Sequence, residues 1–188
     1  VGLLNAAGHD MLLTLEGGAS SSQTTLVLEL IEEQQTFRFL NVLEKPTPSI
    51  LRDFSAPVVL EFTYTDAELA FLMAHDSDPF NRWEAGQRFA MRKLLALVAE
   101  AKSGKISDAV DLEKSAILIE AFRATLNNED LDPAFREVAL TLPSESMIAE
   151  QMDVVDPQLI HAARQKLRKA LAVSLRDDWE RAYAENQT

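Results

Sequence analysis

The spacing of apolar residues changes at Thr65, and this change constrains the fold more than any other feature. Before it, Val58, Leu60 and Phe62 occupy every second position, so they lie on one side of an extended run, which is typical of a strand. After it, Leu69, Leu72 and Met73 recur every three or four residues, as in an amphipathic helix. The sequence therefore predicts a β region that passes into an α region.

A helix start marks the same position. Thr65 is a suitable N-cap residue, and Glu68 follows three residues later, which is the spacing of a capping box. We therefore predict an α+β fold: a partial antiparallel β-sandwich in residues 1–64, then an all-α, solenoid-like helical array in residues 65–188.

The β region contains enough alternating segments for five strands, which is few for a complete sandwich. The segment 17–22 is rich in glycine and serine and is predicted to be a loop. Pro46 and Pro48 are expected to interrupt strand pairing because proline has no amide to donate. The predicted strands are 1–4, 11–15, 24–31, 36–42 and 58–63, with 24–31 and 36–42 paired as a hairpin.

Three helices of the α region are predicted to begin at Asp-Pro pairs, at residues 78–79, 132–133 and 156–157. Aspartate accepts amide hydrogen bonds at the N-cap, and proline fits the first helical position. Gly104, after Lys102, is expected to end the second helix. The predicted helices are 66–75, 79–102, 115–127, 133–142, 144–152 and 157–186.

Two stretches carry a resemblance to a known family. The runs KPTPSILRDFSAPV, residues 45–58, and FLMAHDSDPFNRWEAGQ, residues 71–87, resemble aminopeptidase N, the zinc-dependent alanyl aminopeptidase family of bacteria. Weaker similarity continues through residues 132–150 to the end of the chain. The first run resembles the last part of that family's β-sandwich domain, and the second resembles the opening helices of its C-terminal helical domain.

The resemblance implies that this chain is a non-catalytic segment of a larger metallopeptidase and hydrolase. The family's zinc-binding signature, H-E-x-x-H with a distant glutamate, does not occur in the sequence. We therefore assign no catalytic, cofactor-binding or metal-binding residue here, and we place the zinc of the parent enzyme in another domain of the same polypeptide. The chain alone is predicted to be inactive.

Amino-acid composition limits the kinds of partner and the cellular location that can be expected for the chain. A formal net charge of −12 argues against binding nucleic acid through phosphate contacts. No run of 18 apolar residues is present, so no membrane partner is expected. No signal peptide is visible, and the absence of cysteine excludes disulfides and fits a reducing compartment, so we expect a cytoplasmic location.

The titratable residues give weak signals of a site. His9, His75 and His161 are dispersed, so they do not form a local zinc-ligand pair. His75 is expected at a helix end, where an imidazolium favours the negative end of the helix dipole, and His161 on the surface of the last helix. The pairs at 32–33 and 177–178 are interpreted as solvated charge, and the serines at 20–22 lack a nucleophile motif.

Three further features have both a structural and a functional interpretation. Arg82 and Trp83 resemble a binding hot spot, but Phe80, Trp83, Gln87 and Met91 share helical spacing, which favours packing between helices, with Arg82 paired to a local carboxylate or carbonyl. The other two features lie on the last helix. One is a basic run at Arg164, Lys166, Arg168 and Lys169, which is interpreted either as a border of the substrate chamber in the parent enzyme or as a solvated surface. The other is an apolar stripe, one side of which is expected to pack on the preceding helices while the other side would meet a further helix. The stripe is formed by Ile160, Ala163, Leu167, Leu171, Leu175 and Trp179.

Two functional hypotheses remain. In the first, the segment buttresses the catalytic domain of an aminopeptidase and helps enclose the cavity in which peptides lose their N-terminal amino acids. The alternative is a free-standing helical interaction module without enzymatic activity. A fragment of a solenoid exposes faces that a neighbour normally covers, so self-association through the last helix or the β edge is also expected.

Overall fold

A computed structural model describes residues 1–18, 22–104 and 112–186. The chain forms two compact units, Val1–Glu84 and Ala85–Thr188. The strands of the described residues are β1 (Gly2–Leu4), β2 (Thr14–Leu15), β3 (Phe39–Leu40) and β4 (Thr47–Ser49). The helices are α1 (Asp66–His75), α2 (Pro79–Lys102), α3 (Leu112–Leu126), α4 (Pro133–Leu140), α5 (Glu145–Ala149), α6 (Pro157–Ser174) and α7 (Arg176–Glu185).

The α+β layout agrees with the prediction. Every strand of the described residues ends by Ser49, and every α-helix begins at or after Asp66. Thr65 forms the predicted capping box: its hydroxyl accepts from the Glu68 amide at 3.1 Å, and the Glu68 carboxylate accepts from the Thr65 amide at 2.8 Å. The helix thus begins where its first amides find local acceptors.

The strands are shorter and paired differently than predicted. β1 and β4 form one antiparallel two-stranded sheet, and β2 and β3 form another, so the predicted 24–31/36–42 hairpin is wrong. Thr25 makes only an isolated bridge to Gly2, and residues 58–63 form no strand. Alternation specifies which side chains share a face, but pairing requires a partner strand, and the alternation does not identify it.

The expectation that Pro48 interrupts pairing is also wrong. Pro48 lies in β4, opposite Leu3 of β1. Because β1 is the only named strand that pairs with β4, the side of β4 that faces away from β1 has no ladder in which an amide is needed. A proline is therefore tolerated on this edge.

The first unit has a small apolar core beside a group of buried polar residues. Tyr64 is buried, and its hydroxyl donates to the Pro48 carbonyl oxygen at 2.9 Å. The apolar side chains of this core come from β1, α1 and the connecting loops: Leu3, Leu4, Leu13, Tyr64, Leu69, Leu72 and Met73.

The second unit is built from helices around an apolar core. Asp132 and Asp156 cap α4 and α6 as predicted, each followed by proline, and Ser144 caps α5. α2 ends at Lys102, and Gly104 adopts a positive φ of 73°, as expected of a residue that stops a helix. The core side chains include Phe89, Leu94, Leu118, Phe122, Ile148, Ile160, Leu167, Leu171 and Leu175.

The single long helix predicted for residues 157–186 is divided at Leu175. This residue has φ −115° and ψ 21°, outside the helical range, and it is fully buried. At the break, the Ser174 carbonyl oxygen accepts a hydrogen bond from Arg123 of α3 at 3.2 Å. A side chain that inserts into the backbone hydrogen-bond ladder of a helix, by donating to one of its carbonyl oxygens, is a recognised cause of a kink. The break therefore depends on a residue about fifty positions away, which the local pattern does not contain.

Candidate functional site

The largest group of buried polar side chains in the first unit surrounds Arg52. We call it the Arg52 cluster, formed by Asp10, Thr25, Ser49, Arg52 and Asp76. Arg52 is only 3% exposed. Its Nε donates to Ser49 Oγ at 2.8 Å, and its Nη1 donates to Thr25 Oγ1 at 3.1 Å. Its Nη2 donates to Asp10 Oδ1 at 2.7 Å and to Asp76 Oδ1 at 3.0 Å.

The backbone around Arg52 adopts an unusual conformation to bring the guanidinium inside. Leu51, Asp53 and Phe54 have φ values of 61°, 56° and 49°, in the left-handed region that residues other than glycine rarely adopt. The Asp53 amide donates to Asp78 Oδ2 at 2.8 Å, which holds this turn. Strained backbone persists only where surrounding contacts fix it, and the Arg52 cluster supplies those contacts.

Gly2 lies directly against the guanidinium. A Cβ atom built at Gly2 would fall 2.1 Å from the Arg52 Cζ atom. Only glycine leaves room for the arginine at this point of β1.

Asp76 is the fully buried anion of the cluster. It follows the last residue of α1, and its Oδ1 also accepts from the Asp78 amide at 3.1 Å. Burial raises the pKa of Asp76, although hydrogen bonds from Ser49 and the Asp78 amide and the charge of Arg52 oppose the shift. Its Oδ2 and the Nη1 of buried Arg82 have no hydrogen-bond partner among the described residues.

Asp10 is the second anion paired with Arg52, and it is partly exposed. Partial burial acts to raise the pKa of Asp10, but hydrogen bonds from Arg52 and from the Ser77 hydroxyl outweigh it and hold the pKa below its ordinary value. The Ser77 hydroxyl donates to Asp10 Oδ2 at 2.5 Å. Asp10 is therefore stabilised as a carboxylate.

The chemistry of the Arg52 cluster is that of a structural element. All three guanidinium nitrogen atoms of Arg52 donate to protein oxygen atoms, and the described cavities lie in the second unit. In the sequence, Arg52 occurs within the run that resembles aminopeptidase N, and no pattern there identifies Asp10 and Asp76 as its partners. The sequence shows a single arginine in a segment with apolar residues between two prolines. This pattern does not indicate which residues would pair with the guanidinium.

His9 and His75 lie near each other in the first unit, whereas His161 lies on α6 of the second. His75 is the last residue of α1, as predicted, but partial burial, followed by the charges of Arg82 and His9, lowers its pKa. This favours the neutral ring over the imidazolium that the helix-end position alone would favour. His161 is exposed on the first turn of α6, as predicted, with Nδ1 2.8 Å from Glu145 Oε1.

Arg82 and Trp83 make contacts within the first unit, and the predicted packing of Trp83 between adjacent helices stays a prediction. The Arg82 Nε donates to the Asp76 carbonyl oxygen at 2.9 Å, so the predicted pairing with a loop carbonyl is confirmed. Burial lowers the pKa of Arg82. Trp83 packs on Phe80 with ring centroids 5.8 Å apart, and Phe80 contacts Phe54 at 5.3 Å.

Asp178 is not the solvated charge that its position beside Asp177 predicted. It accepts from Arg123 Nε at 3.1 Å, from Asn127 at 2.9 Å and from Arg181 at 2.7 Å. The hydrogen bond from Asn127 is the largest cause of its lowered pKa, and those from Arg123 and Arg181 add to it. Asp177 is exposed, as are Glu32 and Glu33. Ser20 and Ser21 lie outside the described residues.

The basic run on α6 borders a cavity of about 600 Å³ in the second unit. Arg164 and Arg168 line it, together with Arg176 and Trp179. Of the predicted apolar stripe, the residues from Ile160 to Leu175 are buried, whereas Trp179 is only partly covered.

No group of three histidine, aspartate or glutamate side chains in the described residues is placed to hold a metal ion. His161 is 2.8 Å from Glu145, and His75 lies against Phe71 with ring centroids 4.9 Å apart. These residues therefore do not fit a catalytic zinc ion, which needs three converging protein ligands. Of the helices described, none combines the length and the apolar composition that a membrane crossing requires.

The architecture corresponds to two protein families that follow one another along the chain. Residues 1–63 match the family described as "Domain of unknown function (DUF3458) Ig-like fold". Residues 66–188 match the family described as "Domain of unknown function (DUF3458_C) ARM repeats". The chain therefore belongs to the DUF3458_C family, with an Ig-like region before its ARM repeats.

Similar proteins confirm the resemblance to aminopeptidase N. The protein of that name from Escherichia coli K12 is 38% identical over 160 residues, which is 85% of this chain and 18% of the relative. Those from Caulobacter vibrioides and Haemophilus influenzae are 37% and 33% identical over 87% and 97% of this chain. The chain spans only 18–20% of the length of these relatives.

A solved structure has the same fold. The crystal structure of Legionella pneumophila aminopeptidase A in complex with aspartic acid superposes with a TM-score of 0.65 at 26% identity. The match covers 96% of this chain and 19% of that protein. The fold described above is thus one part of a larger aminopeptidase in the proteins that it resembles.

Proposed function

We propose that this chain is the non-catalytic Ig-like and ARM-repeat segment of a larger zinc-dependent aminopeptidase, which removes N-terminal amino acids from peptides in peptide catabolism. One observation carries the proposal: three proteins named aminopeptidase N match 85–97% of this chain, which accounts for only 18–20% of their length. The zinc ion, its ligands and the peptide-binding groups would then belong to the catalytic domain of the same polypeptide, and the described residues provide no alternative donor set.

The contribution of this segment would be to shape the site. The Ig-like region would buttress the catalytic domain, and the helices would enclose the active-site cavity. This enclosure would exclude water and limit the size of the peptides that reach the metal. The buried Arg52 cluster supports this role, because it joins the loop at Asp10, the end of β4 and the end of α1. We propose the domain boundary at residues 64/65, supported by the ranges 1–63 and 66–188 of the two family matches.

The coding sequence upstream of Val1 provides the first test. An H-E-x-x-H motif in the same reading frame is expected, and a start codon without that motif would instead favour the alternative, a free-standing interaction module.

The second test is activity. The 188-residue chain, assayed with an alanyl chromogenic amide and added zinc, is expected to give no turnover above a buffer blank, whereas the longer polypeptide hydrolyses the amide and loses activity with a chelator. Turnover that copurifies with the short chain would refute the assignment.

The buttressing role can be tested separately in the longer polypeptide. Arg52→Met is expected to lower kcat/KM for peptides without changing the zinc content, because the change lies outside the metal site. Arg38→Met, at an exposed arginine of the same unit, is the matched control and should leave kcat/KM unchanged. If both variants behave as the unmodified enzyme does, this region has no role in shaping the catalytic site.

Two further properties belong to the proposal. A cytoplasmic location is supported by the absence of cysteine, and fractionation of cells that produce the longer polypeptide tests it.

Self-association of the isolated chain is supported by apolar side chains that remain exposed in the first unit: Val27, Leu30, Ile31, Leu43, Val58 and Val59. Light scattering at micromolar concentration is expected to show dimers or larger species, and a monomer would contradict it.

A further inference from the structure

The second unit carries a groove with a cationic rim and an apolar floor. We call it the arginine groove, bordered by Arg164, Arg168, Arg176 and Trp179. Its main cavity has a volume of about 600 Å³ and lies between the end of α4, α6 and α7. The floor is made by apolar side chains that include Phe122, Leu140, Leu142 and Leu171.

A second cavity extends the groove. It has a volume of about 370 Å³, and it shares Leu140, Thr141 and Trp179 with the first cavity. The two cavities therefore adjoin on either side of the Trp179 side chain.

The arginines of the groove are not neutralised within the described protein. Arg164 uses its Nε to donate to the Pro143 carbonyl oxygen at 2.9 Å, which is an uncharged partner. The exposed side chains of Arg168 and Arg176 make no hydrogen bond or ion pair with the residues that the structure describes. Among the described lining residues of the main cavity, only Glu180 is acidic.

This concentration of cations contrasts with the chain as a whole, whose formal net charge is −12. A cationic rim beside an apolar floor is complementary to a surface that presents carboxylates beside apolar side chains. An amphipathic helix with acidic residues has that arrangement, and laying its apolar face into a groove is a recurrent mode of recognition. Nucleic acid fits less well, because the net negative charge of the chain opposes it.

The repeat architecture indicates where such a helix comes from. Residues 66–188 match a family of ARM repeats, and each repeat of such an array buries its apolar faces only against its neighbours. The matched relatives are about five times as long as this chain, since it spans 18–20% of them. A neighbouring helix of the same polypeptide is therefore a better candidate than a second protein.

We propose that the arginine groove is the docking site for an acidic amphipathic helix of the adjacent repeat in the larger polypeptide. Apolar side chains of that helix pack against Trp179 and the floor, and its carboxylates face Arg168 and Arg176. The inference rests on the proposed function in one respect, that this chain is one part of a larger protein. It defines an interaction surface and the chemistry of its partner.

The test uses Trp179 as its own reporter. The chain contains two tryptophans, so Trp83→Phe leaves Trp179 as the sole indole. The probe is a synthetic acetylated and amidated helical peptide with leucines at positions i, i+4 and i+7 and glutamates beside them. A matched peptide carries glutamine in place of every glutamate. Binding is followed by Trp179 emission, which is expected to shift to shorter wavelength with the glutamate peptide and to weaken as salt is added.

Charge variants identify the surface. Arg168→Glu with Arg176→Glu is expected to weaken binding of the glutamate peptide by about tenfold or more, as is the change from glutamate to glutamine in the peptide. Lys169→Glu, an exposed cation on the same helix that does not line the cavity, is the matched control and should change affinity less than about twofold. Far-UV circular dichroism checks folding, and Arg168→Gln with Arg176→Gln provides a milder second variant.

Several outcomes would overturn the proposal. They are equal binding of the glutamate and glutamine peptides, equal weakening by the Lys169 control, or no response of Trp179. If the chain dimerises and the double arginine variant abolishes the dimer, a second copy is the occupant instead. Peptide binding is independent of catalysis, so this proposal can fail while the aminopeptidase assignment stands, and activity assays can refute that assignment without affecting the binding result.

Discussion

The two units of this molecule are stabilised by different interactions. In Val1–Glu84, the described strands are only two or three residues long, and a small apolar core lies beside a buried cation, two carboxylates and hydroxyl groups. In Ala85–Thr188, helices pack around fully buried apolar side chains such as Phe89, Leu118 and Leu167. The first unit combines apolar packing with directional contacts of a few buried polar groups, whereas the second depends mainly on buried apolar area.

This difference determines how each unit responds to change. A buried ion pair contributes little net stability relative to apolar packing, but removing one partner leaves an uncompensated charge, which is costly. Apolar packing loses stability in proportion to the volume removed, and it is nearly independent of pH. We therefore expect the first unit to be the more sensitive to single polar substitutions and to acid, and the second to respond mainly to large truncations in its core.

Arg52→Met is expected to have the largest effect. It leaves fully buried Asp76 without its cation, and we expect a loss of about 3–5 kcal/mol in the free energy of unfolding of the first unit. Urea denaturation followed by Trp83 fluorescence, in a Trp179→Phe background, measures it. Arg38→Met removes an exposed pair with Glu16 and should cost about 1 kcal/mol or less. If the two variants are equally stable, the contrast between the units is lost.

Leu118→Ala tests the second unit. Leu118 is fully buried, and its truncation is expected to cost about 3 kcal/mol with little change between acid and neutral pH. The measurement is urea denaturation followed by Trp179 fluorescence in the Trp83→Phe background. Val173→Ala, at a residue that is 60% exposed, should change stability by about 0.5 kcal/mol or less. A strong pH dependence of the Leu118 effect would argue against purely apolar stabilisation.

Asp10→Asn tests whether the stability of the first unit depends on pH. Because its pKa is held below the model-compound value of 3.8 in the folded state, the contribution of Asp10 is fully present above that value and is lost as pH falls through the folded pKa. We expect the variant to cost about 1.5–2 kcal/mol at neutral pH and almost nothing in strong acid. Thermal unfolding of both proteins from pH 7 to pH 2 measures the difference. Glu29→Gln, at an exposed carboxylate, is the control, and a gap that stays constant with pH would contradict the assignment.

Thr65→Ala is expected to have the smallest effect of the series. It removes the hydroxyl that accepts from the Glu68 amide and should cost about 1 kcal/mol, the usual value of an N-cap residue. Thr63→Ala, two residues earlier and exposed, should leave stability unchanged. Circular dichroism at 222 nm during urea denaturation follows both. Equal stabilities would mean that α1 begins without help from its cap.

The sequence by itself determined the features that depend on neighbouring residues. The starts of α1, α4 and α6 were predictable because a cap bonds to an amide two or three residues away, so cause and effect lie in one short segment. The separation of strands and helices on either side of Thr65 was predictable for the same reason, since side-chain periodicity is set by the local backbone. The resemblance to aminopeptidase N was also contained in two short runs.

Only the tertiary structure decided the contacts between distant residues. Arg52 bonds to Asp76, Thr25 and Asp10, which lie 24, 27 and 42 positions away, and nothing in the spacing selects them from other polar residues. The same is true of the pairing of β1 with β4 and of the break at Leu175, where Arg123 reaches the Ser174 carbonyl from α3. Such contacts form when packing removes side chains from water and each buried polar group must find a partner, so they depend on the whole unit rather than on any segment of it.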